Sequence, residues 1–190
     1  MELYIARHGE TQFNIQRKYQ GSGQDSPLTQ EGIAQAKSLG NMLEGIHFDA
    51  VYSSPLKRAK DTVEIAFGDR YKPILDPRLV EIGLGAMEGM NWEEAAELYP
   101  TARLSDPMNY VPPTNGETLL DMINRVSSFL DDVAKAGHER VFVLAHGYTL
   151  RVFQACTMDK SLEALGKTQY YGNCELARYR YIQNKWEMMV

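Results

Sequence analysis

Residues 3–10 read LYIARHGE: an unbroken apolar run, then Arg7, His8 and Gly9. Four apolar residues without alternation are what a strand buried on both faces presents. Residues 140–151, RVFVLAHGYTLR, repeat the grammar, with Val141 to Ala145 followed by His146 and Gly147. Two buried strands that each break into His-Gly place two imidazoles at strand ends. What lies between decides whether those ends meet.

The intervening chain alternates helical and strand patterns. Residues 9–29, GETQFNIQRKYQGSGQDSPLT, form a polar loop ending at Thr29, a capping residue for a helix that buries Ile33, Ala36, Leu39, Met42 and Leu43. Residues 48–67, FDAVYSSPLKRAKDTVEIAF, read as strand, turn and helix. Ser54 is the expected N-cap, Pro55 takes the first helical position, and Leu56, Ala59, Val63 and Ala66 mark the inward face. KPILDP (72–77) reads as a short strand, and EIGLGAMEGMN (81–91) as a turn before a helix over 92–98. Residues 99–115 are Pro-rich and aperiodic, a long loop of the sort that covers a site. A helix over 115–136 follows, with Gly137 as its C-cap, then the second buried strand and a helix after Gly147. ELARYRYIQNKWEMMV (175–190) alternates and turns like a hairpin at a sheet edge.

Strands alternating with helices imply an α/β three-layer sandwich, a mainly parallel sheet with helices on both faces, in one domain over 1–190. Parallel strands end on one edge, and ligands bind there. His8, His146, Ser53, Ser54, Arg7 and Arg58 all fall just beyond strand ends. Arginine forks match phosphate oxygens, and Gly9 and Gly147 let the backbone approach closely. A phosphate is the guest such a pocket suits, and a neutral imidazole in line with phosphorus is a nucleophile. A nearby carboxylic acid completes the chemistry by supplying the leaving oxygen with a proton. Arg58 sits in a first helical turn, where a cation is disfavoured, so a negative group should compensate it.

Several ordered stretches carry a resemblance: ARHGET (6–11) with Asn14, QGSGQDSPLTQEG (20–32), VYSSPLKRAKDT (51–62), LVEIGLGAMEG (79–89) and LAHG (144–147). Together they resemble the histidine phosphatase superfamily, the phosphoglycerate-mutase-like proteins. The resemblance implies that fold, a phosphohistidine intermediate, and catalysis with no metal or organic cofactor. By position it makes His8 the nucleophile and Glu81 the acid that protonates the leaving group and then activates water. Arg7, Arg58 and His146 would bind the phosphoryl group, with Asn14 and Gly147 on the phosphate side and Gln20 and Gly21 toward the rest of the substrate. Glu88 lies in the same turn as Glu81 and is its rival on residue type alone. Cofactor-dependent mutases of this family carry an ER-x-YG stretch that VEIGLGAMEG lacks, which favours hydrolysis of a small phosphorylated metabolite over mutase activity. A non-catalytic phosphate-binding module and a phosphoprotein phosphatase are the other readings.

The remaining features carry other expectations. Thr114 and Glu117 have capping-box spacing, which accounts for Glu117 without chemistry. Arg151 is either a site residue or half of a structural ion pair. Tyr148, with Tyr19, Met108 and Tyr110, would line an apolar pocket mouth. His47 and His138 have no motif and read as surface residues. Cys156 and Cys174 have neither metal nor disulfide spacing and read as small hydrophobes. Nothing in the chain spaces ligands for a metal. A net charge of −5 argues against nucleic acid, and no run nears the ~20 apolar residues of a membrane span. With no signal-peptide pattern, the expected compartment is the cytoplasm. The terminal hairpin leaves a homodimer open.

Overall fold

The computed structural model describes residues 1–189. One sheet contains β1 (Glu2–Arg7), β2 (Ala50–Ser53), β3 (Ile74–Leu75), β4 (Arg140–Ala145), β5 (Leu176–Ile182) and β6 (Lys185–Met189), in the order β3-β2-β4-β1-β5-β6. β3, β2, β4 and β1 are parallel, and β5 and β6 run antiparallel to their neighbours. The α-helices are α1 (Gln12–Ile15), α2 (Gln30–Met42), α3 (Lys57–Phe67), α4 (Trp92–Leu98), α5 (Leu119–Lys135), α6 (Gly147–Thr157) and α7 (Leu162–Gly166). The expected α/β sandwich with a mainly parallel sheet is therefore present.

The unbroken apolar runs have the cause their pattern implies. Tyr4, Ala6, Val51, Phe142 and Leu144 pack under α2 and α3. Leu3, Ile5, Val141, Val143 and Ala145 point the other way, under α5 and α6. Phe142 and Phe129, one on each face, are fully buried, and each such ring stabilises the fold by roughly 1.5–3 kcal/mol. β5 and β6 close one edge through a turn in which Gln183 and Asn184 both have positive φ, the backbone twist a two-residue hairpin needs. The expected hairpin is thus observed, except that Val190 lies outside the described residues. Among the described residues no helix is long and apolar enough to cross a membrane.

Several boundaries differ from expectation. α3 begins at Lys57 with Leu56 at the cap, later than expected; Ser54 Oγ accepts from Leu56 N at 3.3 Å in the turn ahead of the helix and lies 2.7 Å from His146 Nε2. α5 begins at Leu119, not near residue 115, because Asn115 sits at φ 60° and cannot enter a right-handed helix. Its cap is Thr118, whose Oγ1 accepts from Asp121 N, so the expected Thr114–Glu117 box does not exist. Met42 is exposed despite its helical spacing, and the short helices α1 and α7 were not expected from the pattern.

Gly40 sets how closely α2 and α3 approach. A Cβ there would run into the Ala66 carbonyl of α3, backbone that cannot rotate away. Gly40→Ala should lower stability by about 1–3 kcal/mol as measured by urea denaturation. An unchanged midpoint would show that the helices separate without cost.

Candidate active site

The ends of β1, β2 and β4 converge because their ladders run to the last residue. Arg7 pairs with Ala145, and His8 N donates to Ala145 O at 3.1 Å. Ser54 N donates to Leu144 O at 3.0 Å. Beyond that line the chain turns sharply at Gly9, whose N–H donates to Thr62 Oγ1 of α3 at 3.1 Å. A Cβ on Gly9 would come within 2.6 Å of the Gly32 carbonyl, so only glycine lets the turn pack against α2. The two imidazoles are thereby held with ring centroids 5.2 Å apart.

His8 is buried, and its Nδ1 lies 2.7 Å from the Gly9 carbonyl. A carbonyl only accepts, so Nδ1 carries the proton and Nε2 keeps its lone pair. Burial, and then the charges of Arg58 and Arg7, hold the His8 pKa well below the ordinary histidine value. His146 has no exposed surface and is depressed in the same way by burial and then Arg58, so both rings are neutral.

Two guanidiniums surround this pair. Arg58, almost wholly buried, donates to the carbonyls of Gln24 and Gly21 and pairs with Asp25 at 3.0 Å. Asp25 is the negative group its place in a first turn requires, and it also accepts from Lys57 N. Arg7 donates to the Tyr171 carbonyl at 2.8 Å. Burial pulls the Arg7 pKa down, with Glu81 opposing the shift and Arg58 adding to it. Arg7 Nε, Arg58 Nε and His146 Nδ1 are buried without a protein partner. Unpartnered buried nitrogens are expensive, and three at one place are a cationic cradle for an anion.

Glu81 stands across the cavity. Its Oε1 accepts from Ile82 N at 3.0 Å and Thr149 N at 3.2 Å, and its Oε2 from Tyr148 N at 3.0 Å. The carboxyl oxygens therefore cap the start of α6, taking up its free N–H groups. Glu88, the rival, is committed elsewhere: its Oε1 accepts from Ser22 N and Leu84 N beneath Gly21. Arg7, His8, Asn14, Gln20, Gly21, Arg58, Glu81 and Gly147 line one cavity of about 450 Å³. His146, fully buried, is not itself among the residues of that wall.

Three expected residues, Gln20, Met108 and Tyr110, behave differently from their assigned places. Gln20 reaches the wall, but its Nε2 donates to Thr11 Oγ1 and its Oε1 accepts from Ser26 Oγ, so both polar ends brace the loop. Met108 and Tyr110 are not on the wall, whereas Tyr19 and Tyr148 are. Arg151 has no acid partner among the described residues. It donates to Thr168 Oγ1, Leu104 O and Leu165 O and stacks on Tyr148 and Tyr170. Tyr148 Oη also donates to Leu104 O at 3.2 Å, so α6 pins the 99–115 loop where it meets the cavity. Trp92, Met87, Tyr99 and Leu84 give the cavity an apolar stretch of wall, alongside Lys18 and Arg103; the pattern placed Trp92 on a helix but held no signal that it faced a site. His47 is exposed, His138 half-buried, and both cysteines are buried, with burial pushing each thiol up to about 12.

The sequence profile of the histidine phosphatase superfamily (branch 1) matches residues 3–190. The chain is 34% identical to "Phosphoserine phosphatase 1" of Hydrogenobacter thermophilus, over 96% of this chain and 86% of that protein. It is 34% identical to the "Adenosylcobalamin/alpha-ribazole phosphatase" of Escherichia coli, over 87% and 83%. The solved structure of Bacillus stearothermophilus YhfR superimposes with a TM-score of 0.91 at 32% identity, covering 100% of this chain and 95% of that one.

The neutral histidines make stability depend on pH. Unfolded histidine titrates near about 6.5, while folded His8 and His146 take up protons only well below that. The unfolded chain then holds more protons, so stability present above about pH 6.5 is lost as pH falls below it. The urea midpoint should drop between about pH 7 and pH 5.5, and drop less in His146→Gln. Equal slopes for both proteins would place the proton uptake elsewhere.

Proposed function

The chain belongs to branch 1 of the histidine phosphatase superfamily, and we propose that it hydrolyses a small phosphomonoester through a phosphohistidine on His8. The observation that carries this reading is the setting of His8: a buried ring with Nδ1 against the Gly9 carbonyl and its pKa held low, beside three unpartnered buried nitrogens.

In the proposed reaction the phosphoryl group lies against Arg7 and Arg58, with Asn14 and the N–H of Gly147 at its margin. Ser54 Oγ–H donates to His146 Nε2, which leaves the His146 proton on Nδ1 to serve the same oxygens. His8 Nε2 attacks phosphorus; the N–P bond forms as the bond to the leaving oxygen breaks. Glu81 gives that oxygen its proton, and the alcohol departs. Glu81, now a carboxylate, takes a proton from water as the water oxygen attacks phosphorus. The N–P bond breaks, phosphate leaves, and His8 is neutral again. The positive ring of the intermediate is steadied by the Nδ1–H bond to Gly9 O. Every proton is handled by a side chain of this chain, so no metal or cofactor enters the scheme.

The wall chemistry supports a substrate class. Glu81 is the only acid lining the cavity, and its oxygens already face the N–H groups of α6. An ammonium on the substrate, as in phosphoserine, has no free carboxylate to meet. Trp92, Tyr99, Met87 and Tyr19 suit an apolar or ring-bearing alcohol instead, in the cytoplasmic metabolite pool. VEIGLGAMEG, without the Arg and Tyr of the mutase stretch, keeps hydrolysis ahead of phosphoryl return to a second hydroxyl.

The test is a panel of aryl phosphate, phosphoserine and 3-phosphoglycerate, assayed with chelator present. Wild type should release phosphate, fastest from the aryl ester, and His8→Ala should lose at least about 10³-fold. Retained turnover in His8→Ala would end the phosphohistidine reading, and isomerised phosphoglycerate would favour the mutase. Tyr148→Ala should reorder the panel while the best substrate falls less than about tenfold. An unchanged order would remove Tyr148 and the loop it holds from substrate selection.

A further inference from the structure

Glu81 sits on a segment with little structure of its own. After a 3-10 turn at Pro77–Leu79, residues 80–84 run free of helix and sheet. Their carbonyls need partners, and one side chain from α5 reaches those of Val80 and Glu81, together with that of Arg78 just before them. Arg125 Nη1 donates to Arg78 O at 2.7 Å and Val80 O at 2.9 Å, and Nη2 donates to Glu81 O at 3.3 Å. The other two N–H groups bind Glu117, Nε to Oε1 at 2.6 Å and Nη2 to Oε2 at 2.9 Å. All five N–H donors of a guanidinium are thus used, and none faces the cavity.

Glu117 completes the arrangement from the opposite side. Its Oε2 accepts from Gly83 N at 3.1 Å, and its own N–H donates to Gly83 O at 2.7 Å. The segment is therefore gripped on both sides of Glu81, at residues 78–81 and again at Gly83. Both charged side chains are largely buried, where an ion pair with every donor filled is rigid. A lysine offers only three donors from a point and cannot reproduce the fork.

We propose that Arg125 and Glu117 are positioning residues that set the depth and direction from which Glu81 delivers its proton. The proposal rests on Glu81 being the proton donor. It assigns Glu117 a role in place of helix capping. Neither residue touches substrate. Loss of the clamp should leave phosphate binding and His8 attack intact and displace the carboxyl.

Leaving-group dependence separates positioning from general damage. A nitrophenolate departs without a proton, whereas an alkoxide cannot. kcat/KM reports transfer to His8 and departure of the alcohol, whatever later clears the phosphohistidine. Glu81→Gln, Arg125→Lys and Glu117→Gln are to be compared with wild type on nitrophenyl phosphate and on an alkyl phosphate. Arg125→Lys and Glu117→Gln should lower alkyl kcat/KM by about 10- to 100-fold and nitrophenyl kcat/KM by less than about threefold. Glu81→Gln should show the same split, larger. Equal losses on both esters, or none, while Glu81→Gln keeps its split would overturn the positioning role. If Glu81→Gln shows no split, the donor assignment fails, and the proposal falls with it for that distinct reason. Should Arg125→Lys not fold, the Glu117→Gln ratio decides, since that variant keeps the side-chain oxygen that accepts from Gly83.

Discussion

The parallel pairing of β1 with β4 is the constraint on which the site depends. Its register, Glu2 against Arg140 through Arg7 against Ala145, brings the two His-Gly turns side by side. A slip of one residue would reverse which side chains face α2 and α3 and which face α5 and α6. Because both faces are buried, hydrophobic packing far from the cavity fixes the register. Phe142 in its aromatic cluster therefore helps determine where His146 stands, although it touches no ligand.

Electrostatics then set what the converged ends can do. Of the two guanidiniums, Arg58 is paired with Asp25, whereas Arg7 donates to the Tyr171 carbonyl. Their field and their burial keep the histidines neutral, which a nucleophile needs. The same excess of positive charge is relieved by an anion, so binding energy for phosphate is stored in the folded protein as unpartnered N–H groups. Glu81 offsets part of it from the far wall, held by α6 in front and by the Arg125–Glu117 clamp behind. His8 and Arg7 are thus fastened at the end of β1, Arg58 on α3, and Glu81 against the first N–H groups of α6, so none of them hangs on the outer loop.

How much of this was legible in the sequence follows from range. β1 and β4 were plain because burial on both faces leaves a continuous apolar run, and α4 was placed after the Gly/Met-rich turn within its observed bounds. The meeting of His8, His146, Arg7 and Arg58 followed from topology, since parallel strands end on one edge. Glu81 needed the family resemblance: nothing local distinguishes it from Glu88 seven residues on, and only the bonds that Glu88 accepts from Ser22 N and Leu84 N separate them. The start of α5, the turning of Ser54 toward His146 and the role of Glu117 were hidden because each side chain answers a partner distant in sequence. Asp25 and Gln20 were obscured in the same way within a loop whose periodicity is nil. The substrate wall, drawn from α4 and the 99–115 loop, was the least legible part.

The proposed reaction turns on a covalent intermediate on one nitrogen of His8. Rapid mixing with a phosphomonoester, alkaline quenching and peptide mass analysis would test it directly. The account predicts a phosphoryl adduct on the peptide containing His8, stable to base, lost in acid, and formed on the timescale of alcohol release. Alcohol release with no adduct, or an adduct on another residue, would contradict it.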